Sequence, residues 1–550
     1  MDSSVTNRRV LGLLGTVALC GLTIFIYQPA WHGGFIWDDD RYVTNNYLLI
    51  APDGLRRIWF SLDAPSQYFP LAYTVLGIER WLWDLNSTGY HWVSISLHVA
   101  NALLVWWILA RLKVPGAWLA GTIFAFHPLQ VESVAWISEL KNVLMGLFFL
   151  LALSTWIEYV DATSGRRRLV YFLALGFYLP ALLAKSTACT LPAALLLILW
   201  LKEKPIGRRE LLEIAPFIVA AVGVGLVAIW WEKYHQGTRT LVSLGPIERL
   251  LIASRAIWFY LGKILWPLNL TFIYPQWRID PANPIGYLWL IATASAAWLI
   301  FYLRRFFGRS VEVAALFFLT TLGPLLGFTM LYTFRFTFVA DHYQYLACIG
   351  PIALAAAGLA RIGGSRRNLH WLVVAVAGTI LIVLSLLTWH QAAMYRDLET
   401  LWRTTIARNP ACWMAYNNLG VVQFEKGDIE GAIEKYQQSL RLNPDYPEAR
   451  YNLGSAFLQQ GQTDEAIRQC ELALQLLPKE PDAHIVLGNA FLAKEDVDRA
   501  IREYAEALAV RPDDYIGHYN LAMALQQKGE TERAAREYEK ARALKPREKP

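Results

Sequence analysis

The chain has 550 residues, of which 55% are hydrophobic and only 17% are charged. Soluble proteins carry about 25% charged residues, so this composition indicates a membrane protein with a soluble part attached. The 23 tryptophans are typical of side chains at membrane–water interfaces. The formal net charge of +6 is small for this length and gives no indication of nucleic-acid binding. The five cysteines show neither zinc-ligand nor disulfide-framework spacing.

Eleven apolar runs are long enough to be transmembrane helices. They lie near residues 10–29, 90–110, 116–136, 143–160, 169–184, 187–201, 213–231, 284–303, 311–332, 344–361 and 370–389. The first run follows Arg8 and Arg9, and we expect it to remain as a helix rather than be cleaved. A possible twelfth run, 250–267, is interrupted by Arg255 and Lys263.

Basic residues are concentrated in the short loops between these runs. If the N-terminus is cytoplasmic, the basic groups all lie on the cytoplasmic side only when residues 250–267 do not cross the membrane. The positive-inside rule therefore predicts that 250–267 form an interfacial or re-entrant helix. In the long first loop, 30–89, we expect a short amphipathic surface helix at Leu55–Leu62 and loop structure around Pro70. The outer face then carries residues 30–89, 127–142, 232–283 and 333–343, Lys185 and the C-terminal part.

The stretch 35–46, directly after the first run, contains the consecutive acids Asp38, Asp39 and Asp40. A charge in hydrocarbon costs roughly 2.5–3.5 kcal/mol even on mild insertion scales, so this cluster must lie outside the bilayer. An acidic pair with aromatic neighbours can act as a general base on a hydroxyl group or bind a divalent metal ion. The alternative is a solvated acidic turn that ends the first span.

After Trp389 the composition becomes charged and helical, and prolines recur every 34 residues, the period of the tetratricopeptide repeat. These prolines are Pro410, Pro444, Pro478, Pro512 and Pro546. Small residues recur at the positions of Gly420 and Ala432, and aromatic residues mostly at the position of Tyr436. Small residues let two helices pack closely, and the aromatic ring fills the gap between repeats.

The predicted fold is therefore all-α, with a polytopic membrane domain followed by a tetratricopeptide solenoid. We expect the membrane domain to cover residues 1–389 and a connecting helix or half-repeat to cover 390–410. The four predicted repeats are 411–444, 445–478, 479–512 and 513–546.

The acidic motif and the repeats together resemble the transmembrane and tetratricopeptide repeat-containing proteins. These belong to the GT-C class of membrane glycosyltransferases, which includes protein O-mannosyltransferases and lipid A aminoarabinose transferases. The matching stretches are Trp37-Asp38-Asp39 with Asn46 (aromatic-Asp-Asp…Asn), His127-Pro128 to Ala135 (His-Pro-x-x-x-Glu-x-Val-Ala), Ala184-Lys185-Ser186, Trp266–Leu270 with Tyr274, and Val339–Leu346. Ser186, Asp341 and His342 stand where the family commonly has Glu, Glu and Arg.

This resemblance implies a GT-C-like membrane domain that transfers a hexosyl or mannosyl unit from a polyprenyl-phosphate carrier. The acceptor would be a hydroxyl group, of protein Ser or Thr, on the outer face. We expect Asp38 or Asp39 to take the acceptor proton during an inverting attack, with a shared divalent metal ion as the alternative. The carrier phosphate would be held by cations, since charge-assisted bonds to phosphate are strong in a dry site. The candidates are Lys141, Lys185, Arg335 and His342.

Several of these residues also have ordinary structural explanations. Lys185 can be a lysine whose side chain extends to the lipid headgroups, and Arg335 an anchor at a helix end. Glu132 is a candidate for positioning the acceptor or a cation, or else a helix cap, and Asp341 lies in the matching outer loop. His127 precedes a proline and is interpreted as mainly structural, with positioning as the alternative.

Two other functions are compatible with the sequence. A non-enzymatic membrane scaffold would use the repeats to assemble an envelope complex, and a ligase or polymerase would act on lipid-linked oligosaccharides. In the first interpretation, the concave face of the solenoid binds a protein acceptor or partner. We favour a bacterial inner membrane with periplasmic repeats, and the endoplasmic reticulum membrane is the alternative.

Overall fold

The computed structural model describes residues 3–62, 67–162, 165–235, 244–328, 332–365 and 367–544. Every regular element in these ranges is helical, which confirms the predicted all-α class. The chain divides into two compact units, residues 1–401 and 402–550, which are described separately below. The basic residue Arg366 and the last predicted repeat proline, Pro546, lie outside the described residues.

The α-helices of the first unit are named in chain order. They are α1 Ser3–Ile26, α2 Gly54–Phe60, α3 Pro70–Trp83, α4 Ser87–Arg111, α5 Ala117–Phe126, α6 Val131–Ala135, α7 Leu140–Asp161, α8 Arg167–Ala184, α9 Leu191–Leu201, α10 Arg208–His235, α11 Pro246–Leu265, α12 Leu288–Phe307, α13 Ser310–Leu322, α14 Ile349–Ser365 and α15 Arg367–Ala392. The next helix, α16 Leu398–Arg408, contains the division between the units.

Six helical segments are long and apolar enough to cross a membrane: Ser87–Arg111, Ile137–Asp161, Arg167–Ala184, Arg208–Trp231, Pro284–Phe307 and Leu369–Tyr395. Five shorter apolar helices are Gly12–Ile26, Ala117–Phe126, Ser186–Leu201, Ser310–Leu325 and Ile349–Gly364. These two sets fall on the eleven predicted runs. Helix α11 belongs to neither set, and its position at the membrane surface stays a prediction.

The predicted run 116–136 is not one continuous helix. Helix α5 ends at Phe126 because Pro128 follows shortly after, and the residue before a proline disfavours helical backbone angles. His127 is accordingly extended, with φ −79° and ψ 127°. The chain then passes through three short helical turns before α7 begins, and this interrupted stretch carries much of the candidate site.

The prediction of loop structure around Pro70 was wrong, because Pro70 is the first residue of α3. Proline is well tolerated at this position, since the first helical N–H has no partner within the helix in any case. The neighbouring short helix, predicted at Leu55–Leu62, is present as α2 at Gly54–Phe60.

The second unit is a series of helix pairs. Its helices are α17 Trp413–Glu425, α18 Ile429–Leu442, α19 Pro447–Gln459, α20 Thr463–Leu476, α21 Pro481–Ala493, α22 Val497–Val510, α23 Tyr515–Gln527 and α24 Thr531–Leu544. A Cβ atom at Gly420 would lie 2.7 Å from a ring carbon of Tyr436, and one at Gly488 would lie 2.6 Å from Tyr504. The glycines therefore let an aromatic ring of the second helix pack directly on the backbone of the first.

A left-handed backbone recurs in the turn within each helix pair. Gly427, Gly461 and Gly529 have φ of +82°, +78° and +86°, and Glu495 at the equivalent position has φ +62°. Glycine adopts this conformation freely, whereas a residue with a side chain pays roughly 1–2 kcal/mol. The third repeat therefore contains a strained turn that the other three avoid.

We expect Glu495→Gly to raise the free energy of unfolding of the repeat array by about 1 kcal/mol, because it removes this strain. Hydrogen exchange measured by mass spectrometry on the full chain, in peptides from α21 and α22, would detect the slower opening. The reciprocal change, Gly461→Glu, should destabilise α19 and α20 by a similar amount. Unchanged exchange in both variants would contradict the assignment of strain to this position.

Two histidines connect successive repeats. His484 Nδ1 lies 2.7 Å from Oε2 of Glu503, and its Nε2 lies 3.2 Å from the carbonyl oxygen of Pro478. His518 repeats the arrangement, with its Nδ1 2.6 Å from Glu537. The hydrogen bond with Glu503 raises the pKa of His484 above its ordinary value. Each histidine thus links the end of one repeat to both helices of the next.

The raised pKa of His484 predicts a pH-dependent contribution to stability. The protonated imidazole is favoured in the folded state, so the contribution is complete below a pH of about 6.5 and is lost as the pH rises through the folded pKa. The difference in hydrogen exchange between wild type and His484→Gln, measured in α21 and α22, should therefore be larger at pH 6 than at pH 8.5. Peptides from α17 provide the internal control, and a difference independent of pH would contradict the prediction.

Candidate active site

The acidic stretch of the first loop follows a strained residue. Trp37 has φ +48°, which is unusual for a bulky side chain and costs on the order of 1–3 kcal/mol. Its ring packs edge-to-face against Phe272, with centroids 6.4 Å apart. The acids Asp38 and Asp39 come directly after this outlier, so the loop conformation at the candidate site is held by packing rather than by backbone preference.

Asp39 is fully buried and fixes the loop to a distant part of the chain. Its Oδ2 accepts a hydrogen bond of 2.8 Å from the N–H of Ile36. Its Oδ1 accepts one of 2.8 Å from the N–H of Ser138 and another from the Ser138 hydroxyl. Burial raises the pKa of Asp39 to about 7, while these hydrogen bonds oppose the rise. Its carboxyl group is therefore already engaged by protein donors.

Asp38 has a different environment. Its side chain is partly exposed, and within the described ranges its carboxylate has no hydrogen-bond donor from the protein. Burial raises its pKa, and the positive charges of Lys141 and Arg41 oppose the rise. Asp40 is exposed and accepts a hydrogen bond of 2.9 Å from Thr44 Oγ1. Of the three acids, Asp38 is the one that combines nearby cations with a carboxylate not already engaged.

Four polar side chains form a buried group next to this loop, which we call the lysine–glutamate cluster: Glu139, Lys141, Asn142 and Lys185. The carboxylate of Glu139 lies 2.9 Å from Nζ of Lys141 and 3.3 Å from Nζ of Lys185. Asn142 donates to Glu139 Oε2 at 2.6 Å and accepts from Lys185 Nζ at 2.7 Å. Two ammonium groups share one carboxylate within the cluster, and the nearby Asp38 carboxylate also acts electrostatically on Lys141.

The sequence analysis selected both lysines of this cluster but missed Glu139 and Asn142. The available signal was the polar run Glu139-Leu140-Lys141-Asn142 placed immediately before an apolar helix. Charged residues in such a position require partners, because an unpaired buried charge costs several kcal/mol.

The cluster is closed in this structure. The side chain of Tyr42 covers Lys141, whose Nζ lies 4.6 Å from the ring centroid, and Tyr42 in turn stacks on Tyr73. Lys141 and Lys185 are 7% and 8% exposed. A cavity beside Asn142 has a volume of about 20 Å³, room for about one water molecule. A phosphate group could reach the lysines only after the first loop moves.

The two remaining outer segments meet beside this cluster. Glu132 Oε1 lies 3.0 Å from Nδ1 of His342, and Glu132 Oε2 accepts a hydrogen bond of 3.0 Å from the His342 N–H. Asn142 donates to the carbonyl oxygen of His342 at 3.1 Å. The neighbouring Asp341 accepts from the hydroxyl of Tyr274 at 2.8 Å. Glu132 thus holds the loop with His342 against the lysine–glutamate cluster.

Two predicted site residues lie in other surroundings. His127 uses both ring nitrogens for backbone contacts, with Ile264 O at 3.0 Å and Leu129 N at 3.3 Å, which favours its structural interpretation. Arg335 is exposed, its guanidinium lies 5.8 Å from the ring centroid of Phe336, and it makes no contact with the cluster in the part of the chain that the structure describes.

A metal ion was an alternative at the acidic pair. Across the described ranges, no group of three or more His, Cys, Asp or Glu side chains is placed to hold one. In the described ranges Asp39 and Asp40 accept hydrogen bonds, and Asp38 interacts electrostatically with Lys141 and Arg41.

Comparison with known proteins finds similarities for both parts of the chain. Models of the tetratricopeptide repeat match residues 447–480 and 485–548, and a TPR repeat model matches 420–461. A protein O-mannosyl-transferase of Caenorhabditis elegans is 23% identical over 461 residues, covering 80% of this chain and 64% of its own length. The protein O-mannosyl-transferase TMTC4 of Mus musculus is 23% identical over 482 residues, covering 76% of this chain and 65% of its own length.

The chain is TMTC-like. It spans about two thirds of the length of these two relatives, 64% and 65%. Among solved structures, MamA from Desulfovibrio magneticus RS-1 is 20% identical with a TM-score of 0.24, covering 28% of this TMTC-like chain and 85% of MamA.

The variant Glu139→Gln tests how much Glu139 stabilises the lysine–glutamate cluster in this TMTC-like chain. The change leaves two buried ammonium groups without their carboxylate, and breaking a buried ion pair from one side typically costs about 3–5 kcal/mol. We expect a clear decrease in the Tm of the full chain in detergent. Glu158→Gln, near the far end of α7 and only half-buried, is the control and should change the Tm little. Equal Tm values for the two variants would show that the cluster does not depend on Glu139.

Proposed function

We propose that this TMTC-like chain is a membrane glycosyltransferase that transfers a hexosyl unit from a polyprenyl-phosphate carrier to a hydroxyl group of an acceptor. The observation that carries the proposal is a partly exposed acid, Asp38, beside a buried cluster that contains two lysines and one glutamate. The phosphodiester of such a carrier has one negative charge, which the two ammonium groups can attract. The names of the relatives support mannose as the transferred sugar.

In this mechanism Asp38 is the general base. The acceptor hydroxyl gives its proton to the Asp38 carboxylate while its oxygen attacks the anomeric carbon in line. The bond from that carbon to the phosphate oxygen breaks, the electron pair leaves with the carrier phosphate, and the configuration is inverted. General-base catalysis of this kind contributes about 10²- to 10⁴-fold.

Lys141 and Lys185 stabilise the charge that develops on the leaving phosphate. Fixed cations in a site without water act strongly on such charge, because the low local dielectric does not screen them. The positive charge of Lys141 opposes the rise in the pKa of Asp38. His342 is held by Glu132 and is assigned a positioning role, and the exposed Arg335 is assigned none.

Asp39 is assigned a positioning role in place of the catalytic one. Its three hydrogen bonds to Ile36 and Ser138 fix the loop next to Asp38, whose carboxylate interacts electrostatically with Lys141. A base must accept a proton from the substrate, and a carboxylate that accepts from three protein donors has less capacity to do so.

The tetratricopeptide repeats are assigned to the acceptor. Such arrays present an extended concave surface that suits a polypeptide, so the acceptor hydroxyl is proposed to be a Ser or Thr of a protein. The transfer is proposed to occur on the outer face of the membrane, because the acidic loop is predicted to lie there. A transfer assay distinguishes this enzyme from a non-enzymatic membrane scaffold.

The test is a transfer assay with the full chain in lipid, radiolabelled polyprenyl-phosphate mannose and a mixture of periplasmic proteins. We expect Asp38→Asn to lower kcat by about 10²- to 10⁴-fold with little change in the KM for the donor, since the amide cannot take the proton. Asp40→Asn is the matched control, because the carboxylate of this exposed neighbour accepts a hydrogen bond from Thr44, and the variant should keep near wild-type activity.

Full activity in Asp38→Asn would remove its assignment as the base. An equal loss in Asp38→Asn and Asp40→Asn would point to a general effect of loop charge. If wild type transfers no label from a panel of carrier-linked sugars while its Tm shows that it is folded, the scaffold interpretation replaces the enzyme.

A further inference from the structure

A second cavity lies at the end of the helix bundle where α7 ends and where α8 and α10 begin. Its volume is about 1060 Å³. Its cationic lining consists of Arg167, Arg168, Arg208 and Arg209. Two of these arginines open α8 and two open α10, so the free N–H groups of two helix starts add their partial positive charge to the same region.

The charges around this cavity are unbalanced. The acidic residue in its lining is Glu213, which pairs with Arg167 at 3.4 Å and with Arg209 at 3.2 Å. Arg168 and Arg208 are exposed and have no ion-pair partner within the described residues. Glu210 beside the lining also acts on Arg167 and Arg209, and four arginines against these two glutamates still leave a surplus of positive charge, which favours an anion with more than one oxygen acceptor.

The rest of the lining is apolar. Phe172 and Leu212 line the cavity and are 64% and 63% exposed. Each lies about one helical turn inward from an arginine pair, in a helix that can cross a membrane. In such a helix, exposed apolar side chains face lipid chains rather than water. The cavity thus has cations at the starts of α8 and α10 and an apolar surface that continues along these helices toward the bilayer.

The cavity lies at the opposite end of α7 from the candidate active site. Helix α7 begins at Leu140, next to Lys141, and reaches the cavity at Tyr159. The 18 helical steps from Lys141 to Tyr159 cover roughly 27 Å, close to the thickness of a bilayer core. The two groups of cations are therefore too far apart to bind one phosphate group.

We propose that this cavity binds the phosphate headgroup of an anionic phospholipid, with the acyl chains against Phe172 and Leu212. Basic pockets between transmembrane helices are suited to this ligand, because each arginine near the phosphate adds to the attraction and the apolar part retains the chains. A soluble phosphate would use only the cationic half of the cavity. The proposal is independent of the glycosyltransferase function.

The test uses native mass spectrometry of the full chain in detergent, with added phosphatidylglycerol or phosphatidylcholine of identical acyl chains. Wild type should retain phosphatidylglycerol at lower concentration than phosphatidylcholine. The double variant Arg168→Gln and Arg208→Gln should weaken phosphatidylglycerol retention roughly tenfold or more. The control double variant Arg305→Gln and Arg361→Gln removes two exposed arginines predicted on the same face but outside the cavity, and it should bind as wild type does.

Equal retention of the two lipids by wild type would overturn the proposal, whatever the variants do. An equal loss in both double variants would also overturn it, because it would indicate general attraction by surface charge. Glycerol 3-phosphate tests whether the ligand is a soluble phosphate. If it displaces phosphatidylglycerol when the two are present at equal concentration, the cavity is a site for a soluble phosphate instead. The double variant Arg168→Lys and Arg208→Lys keeps both charges and should retain the preference for phosphatidylglycerol, which separates loss of charge from loss of fold.

Discussion

Two ammonium groups buried in a membrane domain require a counter-charge, and the carboxylate of Glu139 provides it for both Lys141 and Lys185. The pairing joins the start of α7 to the residue that follows α8, so it fixes one end of the two helices. The Asp38 carboxylate also acts on Lys141, so this pairing couples the first loop electrostatically to the helix ends.

Adjacent carboxylates acquire different roles from their surroundings. Asp39 is enclosed and bonded to Ser138, whereas Asp38 is partly exposed and acts electrostatically with Lys141. The strained backbone at Trp37, which precedes both acids, is held by packing such as the ring contact with Phe272. Because Tyr42 covers Lys141, the loop that carries the acids also shields this lysine from solvent.

Local patterns allowed much of the fold to be predicted. The apolar runs and the 34-residue period depend on residues close in sequence, and both are present in the structure. The partners at the candidate site are distant: Asp39 and Ser138 are separated by 99 residues, and Glu139 and Lys185 by 46. Hydropathy and spacing contain no signal for such pairs. Pro70 was misjudged for a different reason, since proline ends a helix or begins one according to context.

The two ends of α7 show how the environment decides what a cation can do. At one end the lysines are buried, and each must have a partner within the protein, because water cannot replace it. At the other end Arg168 and Arg208 are exposed, where water and lipid phosphate can both satisfy them. The charges that indicate membrane orientation in the sequence therefore include four arginines that also line a cavity, two of them without an ion-pair partner in the described ranges. The positive-inside rule counts these arginines as equivalent to the others, but their position on two adjacent helix starts makes them a binding surface.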